Sequence, residues 1–220
     1  GILEESAAEA ARERVTTTTD LAAAAAGADV AIEAVPEELE LKTSVLGDAE
    51  THLPDDAVVA SNTSSLPLTS IAAGLDDPER VVGLHFFNPV HIMSLVEIVV
   101  GERTAESTRD FGIEFVEGID KTPVVVRDVP GFASSRLGVA LGVEAIRMVE
   151  EGVASPRDID TAMELGYNHP MGPLELTDVV GLDVRLDILA YLRTELGERF
   201  KPPQLLKRKV RAGKLGRKSG

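Results

Sequence analysis

The stretch RVVGLHFFNPV, residues 80–90, opens as a buried strand and ends on an imidazole, two aromatics and an Asn-Pro break. Its first half is apolar without alternation, as in a strand covered on both faces. Proline cannot continue such a strand, so Pro89 marks the exit into a turn. His85 therefore stands where a strand runs out, and its neighbours decide whether it packs or works.

Working outward, helical and strand patterns alternate. LEESAAEAARER (3–14) reads as a helix and LAAAAAGAD (21–29) as a short helix with a glycine stop. DVAIEAV (29–35) is a strand, EELELKTSVLGDAETHL (37–53) a helix, AVVASN (57–62) a strand and LPLTSIAAGL (66–75) a helix. After residues 80–87 come the extended run LVEIVV (95–100), the helix TAESTRDFGIEFVEGI (104–119) and the strand TPVVVRD (122–128). Such alternation predicts an α/β layer with a largely parallel sheet. Beyond the DVPG break at 128–131 the pattern is helical: SSRLGVALGVEAIRMVEEG (134–152), SPRDIDTAMELG (155–166) and GPLELTDVVGLDVRLDILAYLRTELG (172–197). The expected fold is an α/β, partial Rossmann-type dinucleotide-binding domain over residues 1–128, followed by an all-α domain over 129–220.

Bulk properties exclude several classes. The 220 residues contain no cysteine, so disulfides, thiolate metal sites and thiol nucleophiles are out. The histidines, His52, His85, His91 and His169, show no metal-binding spacing, and no metal is expected. A net charge of −15 opposes nonspecific nucleic-acid binding and suits a protein kept soluble in strong salt. No apolar run approaches the ~18 residues of a membrane span and no basic-then-apolar leader opens the chain, so the expected setting is cytoplasmic. The tail KRKVRAGKLGRKSG (207–220) has seven basic residues and no acid. It reads either as a solvated helix end or as a pull on a phosphorylated ligand.

In an open α/β sheet, ligands gather at the carboxyl ends of the strands. There this chain places Glu37 and Lys42 after the strand at 29–35, Ser64 and Ser65 after that at 57–62, and His85 and Asn88 after the apolar run RVVGL at 80–84. Each has a plain structural explanation: an N-cap for the serines, a first-turn carboxylate for Glu37, a turn former for Asn88. Their convergence on one rim carries the reading to a nucleotide-binding α/β protein and an enzyme.

The segments ASNTSSL, GLHFFNPV, LVEIV, DVPGFASSRL, EAIRMVEEG, DIDTAMELGYNHPMGPLELTDVVGLD and KLGRKSG occur in an order and spacing that resembles the 3-hydroxyacyl-CoA dehydrogenase family, closest to its short-chain, 3-hydroxybutyryl-CoA branch. The resemblance covers the chain from about residue 28 onward and implies reversible oxidation of a 3-hydroxyacyl-CoA substrate by NAD. It matches His85 to the catalytic base and Glu97 to its partner carboxylate. An imidazole suits that task, because it can take and return a proton near neutral pH. Ser64 matches a serine that bonds the substrate oxygen and also borders the cofactor. Asn88, Glu37, Lys42 and Lys218 match cofactor-contacting positions. The family also implies a homodimer through the helical domain, which RLGVALGVEAIRMV (136–149), with its wide apolar face, would support.

Two departures stand out. Ser135 occupies a position that is commonly Asn in the family; it is carried over as a substrate contact of shorter reach. The family's opening strand, G-x-G-x-x-G and helix are absent from these 220 residues, and with them the usual pyrophosphate cradle. The chain thus reads as the C-terminal major part of a dehydrogenase, with a non-catalytic remnant or dimerising module of that family as the competing expectation. If the missing strand is central, the strands to either side should show unpaired edges.

Overall fold

The computed structural model describes residues 4–220. The helix expected over 3–14 is α1 (Glu5–Glu13), with residue 3 outside the described residues. The remaining α/β elements are α2 (Leu21–Ala25), β1 (Val30–Glu33), α3 (Leu39–Glu50), β2 (Val58–Ser61), α4 (Leu68–Ala72), β3 (Val81–Phe86), β4 (Leu95–Val100), α5 (Glu106–Gly118) and β5 (Thr122–Arg127). The helical part holds α6 (Ser134–Glu150), α7 (Pro156–Tyr167), α8 (Pro173–Val180), α9 (Leu182–Leu196) and α10 (Gln204–Arg211).

The chain divides into two compact units, one of residues up to Thr63 with Leu68–Val124, the other of Ser64–Pro67 with Val125–Gly220. This differs from the expected 1–128 and 129–220 by a few residues at the boundary and by the short Ser64–Pro67 segment.

Five strands form one sheet in the order β1-β2-β3-β4-β5. β1, β2 and β3 run parallel, and β4 returns antiparallel to β3. The strands follow chain order, and β1 stands at one edge of the sheet with β2 as its paired neighbour. Val58, Ala60, Val82, Leu84, Val96, Ile98 and Val116 form the core of the first unit. β3 is buried at five of its six positions, which explains why residues 80–87 lack polar alternation. Gly83 is obligatory within it: a Cβ there would lie 2.6 Å from the Cβ of Val99 on β4.

The helical unit packs Val139, Val143, Ile146, Leu189, Leu192, Phe200 and Leu206 into its core. Two expectations are corrected. Residues 172–197 are two helices, α8 and α9, because Gly181 takes φ 103°, outside any helical conformation. The helix expected from residue 66 begins at Leu68, so Ser64 and Ser65 lie before its first residue.

Candidate active site

The antiparallel register of β3 and β4 sets His85 directly opposite Glu97. Directly opposed residues project to the same face of a sheet, and here the His85 Nδ1 lies 2.8 Å from Glu97 Oε2. Both side chains are buried, His85 to 6 % exposure and Glu97 to 1 %. A buried carboxylate is costly unless it is hydrogen-bonded, and this contact supplies a bond. In the tautomer that donates Nδ1–H to Glu97, the lone pair of the ring lies on Nε2, where it can accept a proton. The Phe87 ring packs 4.6 Å from the imidazole, tilted by 48°. The strand exit is pinned as well, since the Phe86 backbone N–H donates to Asn62 Oδ1 at 2.9 Å.

A second cluster lies where β1 and β2 end. Glu33, the last residue of β1, is in register with Ser61, the last of β2. Glu33 Oε1 accepts from Lys42 Nζ at 2.7 Å and from the Val35 amide at 2.6 Å, and its Oε2 accepts from Ser61 Oγ at 2.7 Å. Lys42, in the first turn of α3 and only 1 % exposed, also donates to the Val35 carbonyl at 3.0 Å. Its ammonium lies 3.2 Å from Glu37 Oε2, and Thr63 Oγ1 donates to Glu37 Oε1 at 2.7 Å. Asn62 and Thr63 are consecutive, so one turn after β2 reaches both the exit of β3 beside His85 and the carboxylate of Glu37. Asn88 is exposed and its peptide bond to Pro89 is cis.

The structure thus joins His85 to Glu97 and Glu37 to Lys42 within the first unit. Ser64, Ser135 and Lys218 belong to the second unit. Ser64 is exposed, and Ser135 is half-buried in the first turn of α6. Lys218 is tied to Asp183, its Nζ 2.7 Å from Oδ2 and 2.6 Å from Oδ1. That hydrogen bond holds the Asp183 carboxyl below its ordinary pKa, although partial desolvation works the other way. The KLGRKSG segment is seated on the α8–α9 turn: Leu182 N donates to Leu215 O at 3.1 Å, and Arg217 pairs with Glu175. Gly216 has φ 85°, and a Cβ there would lie 2.4 Å from the Asp178 carbonyl oxygen. Glycine is required at that point on both counts.

Sequence reasoning missed Glu33, Ser61, Asn62 and Thr63. The last three lie within the quoted ASNTSSL segment, at a strand's carboxyl end. Their position was a signal; their partners, 24 to 28 residues away, were not.

Comparison with known proteins places this geometry. Residues 1–129 match the family described as "3-hydroxyacyl-CoA dehydrogenase, NAD binding domain", and residues 131–220 match "3-hydroxyacyl-CoA dehydrogenase, C-terminal domain". A probable 3-hydroxybutyryl-CoA dehydrogenase of Bacillus subtilis is 47 % identical over 194 residues, covering 88 % of this chain and 68 % of that protein. The crystal structure of (S)-3-hydroxybutyryl-CoA dehydrogenase from Ralstonia eutropha aligns with a TM-score of 0.94 at 37 % identity, over 99 % of this chain and 77 % of that one. A 5-formyl-3-hydroxy-2-methylpyridine 4-carboxylate 5-dehydrogenase of Mesorhizobium japonicum is 38 % identical over 207 residues, covering 92 % of this chain and 67 % of that protein.

Proposed function

The chain belongs to the 3-hydroxyacyl-CoA dehydrogenase family, and on that premise we propose that it oxidises a 3-hydroxyacyl-CoA to the 3-oxoacyl-CoA, reversibly, with His85 as general base and Glu97 as its partner. The observation that carries this reading is the buried 2.8 Å contact between His85 Nδ1 and Glu97 Oε2. Oxidation of a secondary alcohol must remove the hydroxyl proton as C3 loses its hydride. His85 takes that proton at Nε2, and the ring becomes an imidazolium whose charge faces the Glu97 carboxylate. In the reverse direction the same ring returns the proton to the developing alkoxide.

NAD, when bound, supplies the acceptor for the hydride. The first unit suits it in part: parallel β1, β2 and β3 end in a rim of carboxylate, ammonium, hydroxyl and amide groups, the usual place for a dinucleotide. Glu37, Lys42 and Asn88 are the residues we assign to it there; Ser64 and Lys218, which belong to the second unit, are assigned by their match to the family alone. The pyrophosphate cradle G-x-G-x-x-G is not among the 220 residues. Ser64 and Ser135 are assigned to the substrate oxygen by their match to the family. For the helical unit we propose self-association. On α6 the exposed Leu137 and Leu141 lie one turn apart, 66 % and 45 % exposed, so they form an apolar stripe for a second copy.

The test is NADH formation from 3-hydroxybutyryl-CoA and NAD, with free 3-hydroxybutyrate and an aromatic aldehyde as competing substrates. The thioester should react fastest, and His85→Ala should lower turnover by about 10²- to 10⁴-fold, the weight of a general base. Near-wild-type turnover in that variant would overturn the assignment of His85. Faster reaction of the aromatic aldehyde would move the substrate class toward that of the Mesorhizobium relative.

A further inference from the structure

We propose that Glu33 is a positioning residue: it holds the Lys42–Glu37 pair at the rim where β1 and β2 end, and through that pair sets cofactor affinity. The inference rests on the reading that Glu37 meets NAD with the buried Lys42 behind it, and adds what keeps the pair in place.

The argument begins with burial. Glu33 is 4 % exposed at the end of an otherwise apolar strand, a position where a lone carboxylate would be strongly unfavourable. Three donors satisfy it: the Lys42 ammonium, the Val35 amide and the Ser61 hydroxyl. These three come from α3, from the turn after β1 and from the end of β2. One carboxylate therefore joins every segment that forms this part of the rim.

Lys42 completes the chain of control. Its three N–H groups face three protein oxygens, at 2.7 Å on Glu33, 3.0 Å on Val35 and 3.2 Å on Glu37. The protein alone thus sets where the ammonium sits. Glu37 in turn is held by Lys42 on one oxygen and by Thr63 on the other, while its side chain remains 35 % exposed. Two carboxylates and one ammonium leave a single negative charge, and it resides on the exposed member. That charge is suited to hydroxyl donors of a ligand and opposed to its phosphates. Removing the charge of Glu33 would leave the Lys42 ammonium buried with only the more distant Glu37, and the whole arrangement would loosen.

The experiment is a double-mutant cycle in the full chain, read by NADH fluorescence titration and by steady-state kinetics. Glu33→Gln should weaken NADH binding by about 10- to 100-fold, the scale seen when the groups behind a ligand-binding side chain are removed. KM for NAD should rise with it, while kcat at saturating NAD stays within about 3-fold, because the interaction serves binding rather than the transition state. Lys42→Met should do the same, and the double variant should be no worse than the poorer single within about 3-fold, since both act through one contact. Glu33→Asp should recover part of the affinity. Because Glu33→Gln could fail to fold, Ser61→Ala provides a milder cut. Loss of one hydroxyl donor to Glu33 Oε2 should weaken NADH about 5-fold, the yield of a single hydrogen bond. Unchanged NADH affinity in both Glu33→Gln and Ser61→Ala, or strictly additive effects with Lys42→Met, would overturn the proposal. Glu37→Gln separates the two levels. If it weakens NADH while Glu33→Gln does not, Glu33 is structural only. If Glu37→Gln leaves NADH affinity unchanged, or the wild-type chain binds no NADH, the cofactor reading falls and this inference with it.

Discussion

Replacing Glu97 by Gln tests the catalytic pair most sharply, because it removes a charge and leaves shape almost unchanged. The two side chains are buried, at 6 % and 1 % exposure, and their polar atoms meet at 2.8 Å. When His85 becomes an imidazolium, its charge and that of Glu97 are separated by about 4 Å, which at an effective permittivity near 20 is worth about 4 kcal/mol. Glutamine keeps a hydrogen-bond acceptor and recovers part of this through its dipole, so the expected loss is about 10²- to 10³-fold in kcat. A flipped amide, with its NH₂ toward Nδ1, would place the ring proton on Nε2 and remove the base outright, which acts in the same direction. The charge forms only as the proton moves, so KM for the thioester should hardly change. Thermal unfolding of the variant, run beside the kinetics, should show a native fold, since a bond from Nδ1 is retained. A kcat within a few-fold of wild type, in a preparation where His85→Ala is inactive, would refute the role of Glu97 and leave His85 acting without it.

Two further outcomes follow from the packing and the charges. Gly83→Ala should destabilise the first unit by about 1–3 kcal/mol in urea unfolding, because its Cβ would lie 2.6 Å from that of Val99; an unchanged midpoint would mean that β3 and β4 can part without cost. The Lys218–Asp183 contact holds the Asp183 carboxyl below its ordinary pKa, so its contribution is present above the unfolded carboxyl value of about 4 and fades as pH falls through the lower folded value. Hydrogen-exchange protection of the Leu182 amide, bonded to Leu215 O at 3.1 Å, should fall on such acidification, and should already be low at neutral pH in Asp183→Asn. Equal protection in that variant would show that the segment docks without the ion pair.

How much of this was legible depends on whether the partners of a residue lie nearby in the chain. The strands at 81–86 and 95–100 declare themselves through runs of Val, Leu, Ile and Phe interrupted only by Gly83, His85 and Glu97, and α7 through Ser155 at its N-cap with Pro156 inside its first turn. The break between α8 and α9 was hidden because Leu182 resumes the apolar period at once; only the backbone at Gly181, φ 103°, reveals that the helix has turned. His85 could be singled out as a histidine at a strand exit. That Glu97 lies opposite it depended on a register that neither strand encodes alone.

Glu33 is the most informative miss. Within DVAIEAV it is the one charged residue inside an otherwise apolar run, and nothing nearby in the sequence names a partner for it. The structure turns it inward, and the reason is energetic: a carboxylate can be buried if its bonds are made, and this one draws donors from positions 35, 42 and 61 at once. Two of those, the ammonium nine residues on and the hydroxyl 28 residues on, belong to no local pattern. A periodicity argument weighs each residue against its neighbours in sequence, so it assigns such a group to the surface every time. The same logic applies to Lys42, whose 1 % exposure would be untenable without Glu33. Each of these two charges makes the burial of the other tolerable, and the pair lies at the carboxyl ends of parallel strands, where an α/β sheet takes its ligands. A buried, mutually dependent ion pair at that location is weak evidence of stability, since well-packed apolar side chains would serve stability as well or better. Its placement is better explained by what it holds, which is the half-exposed Glu37 on the rim.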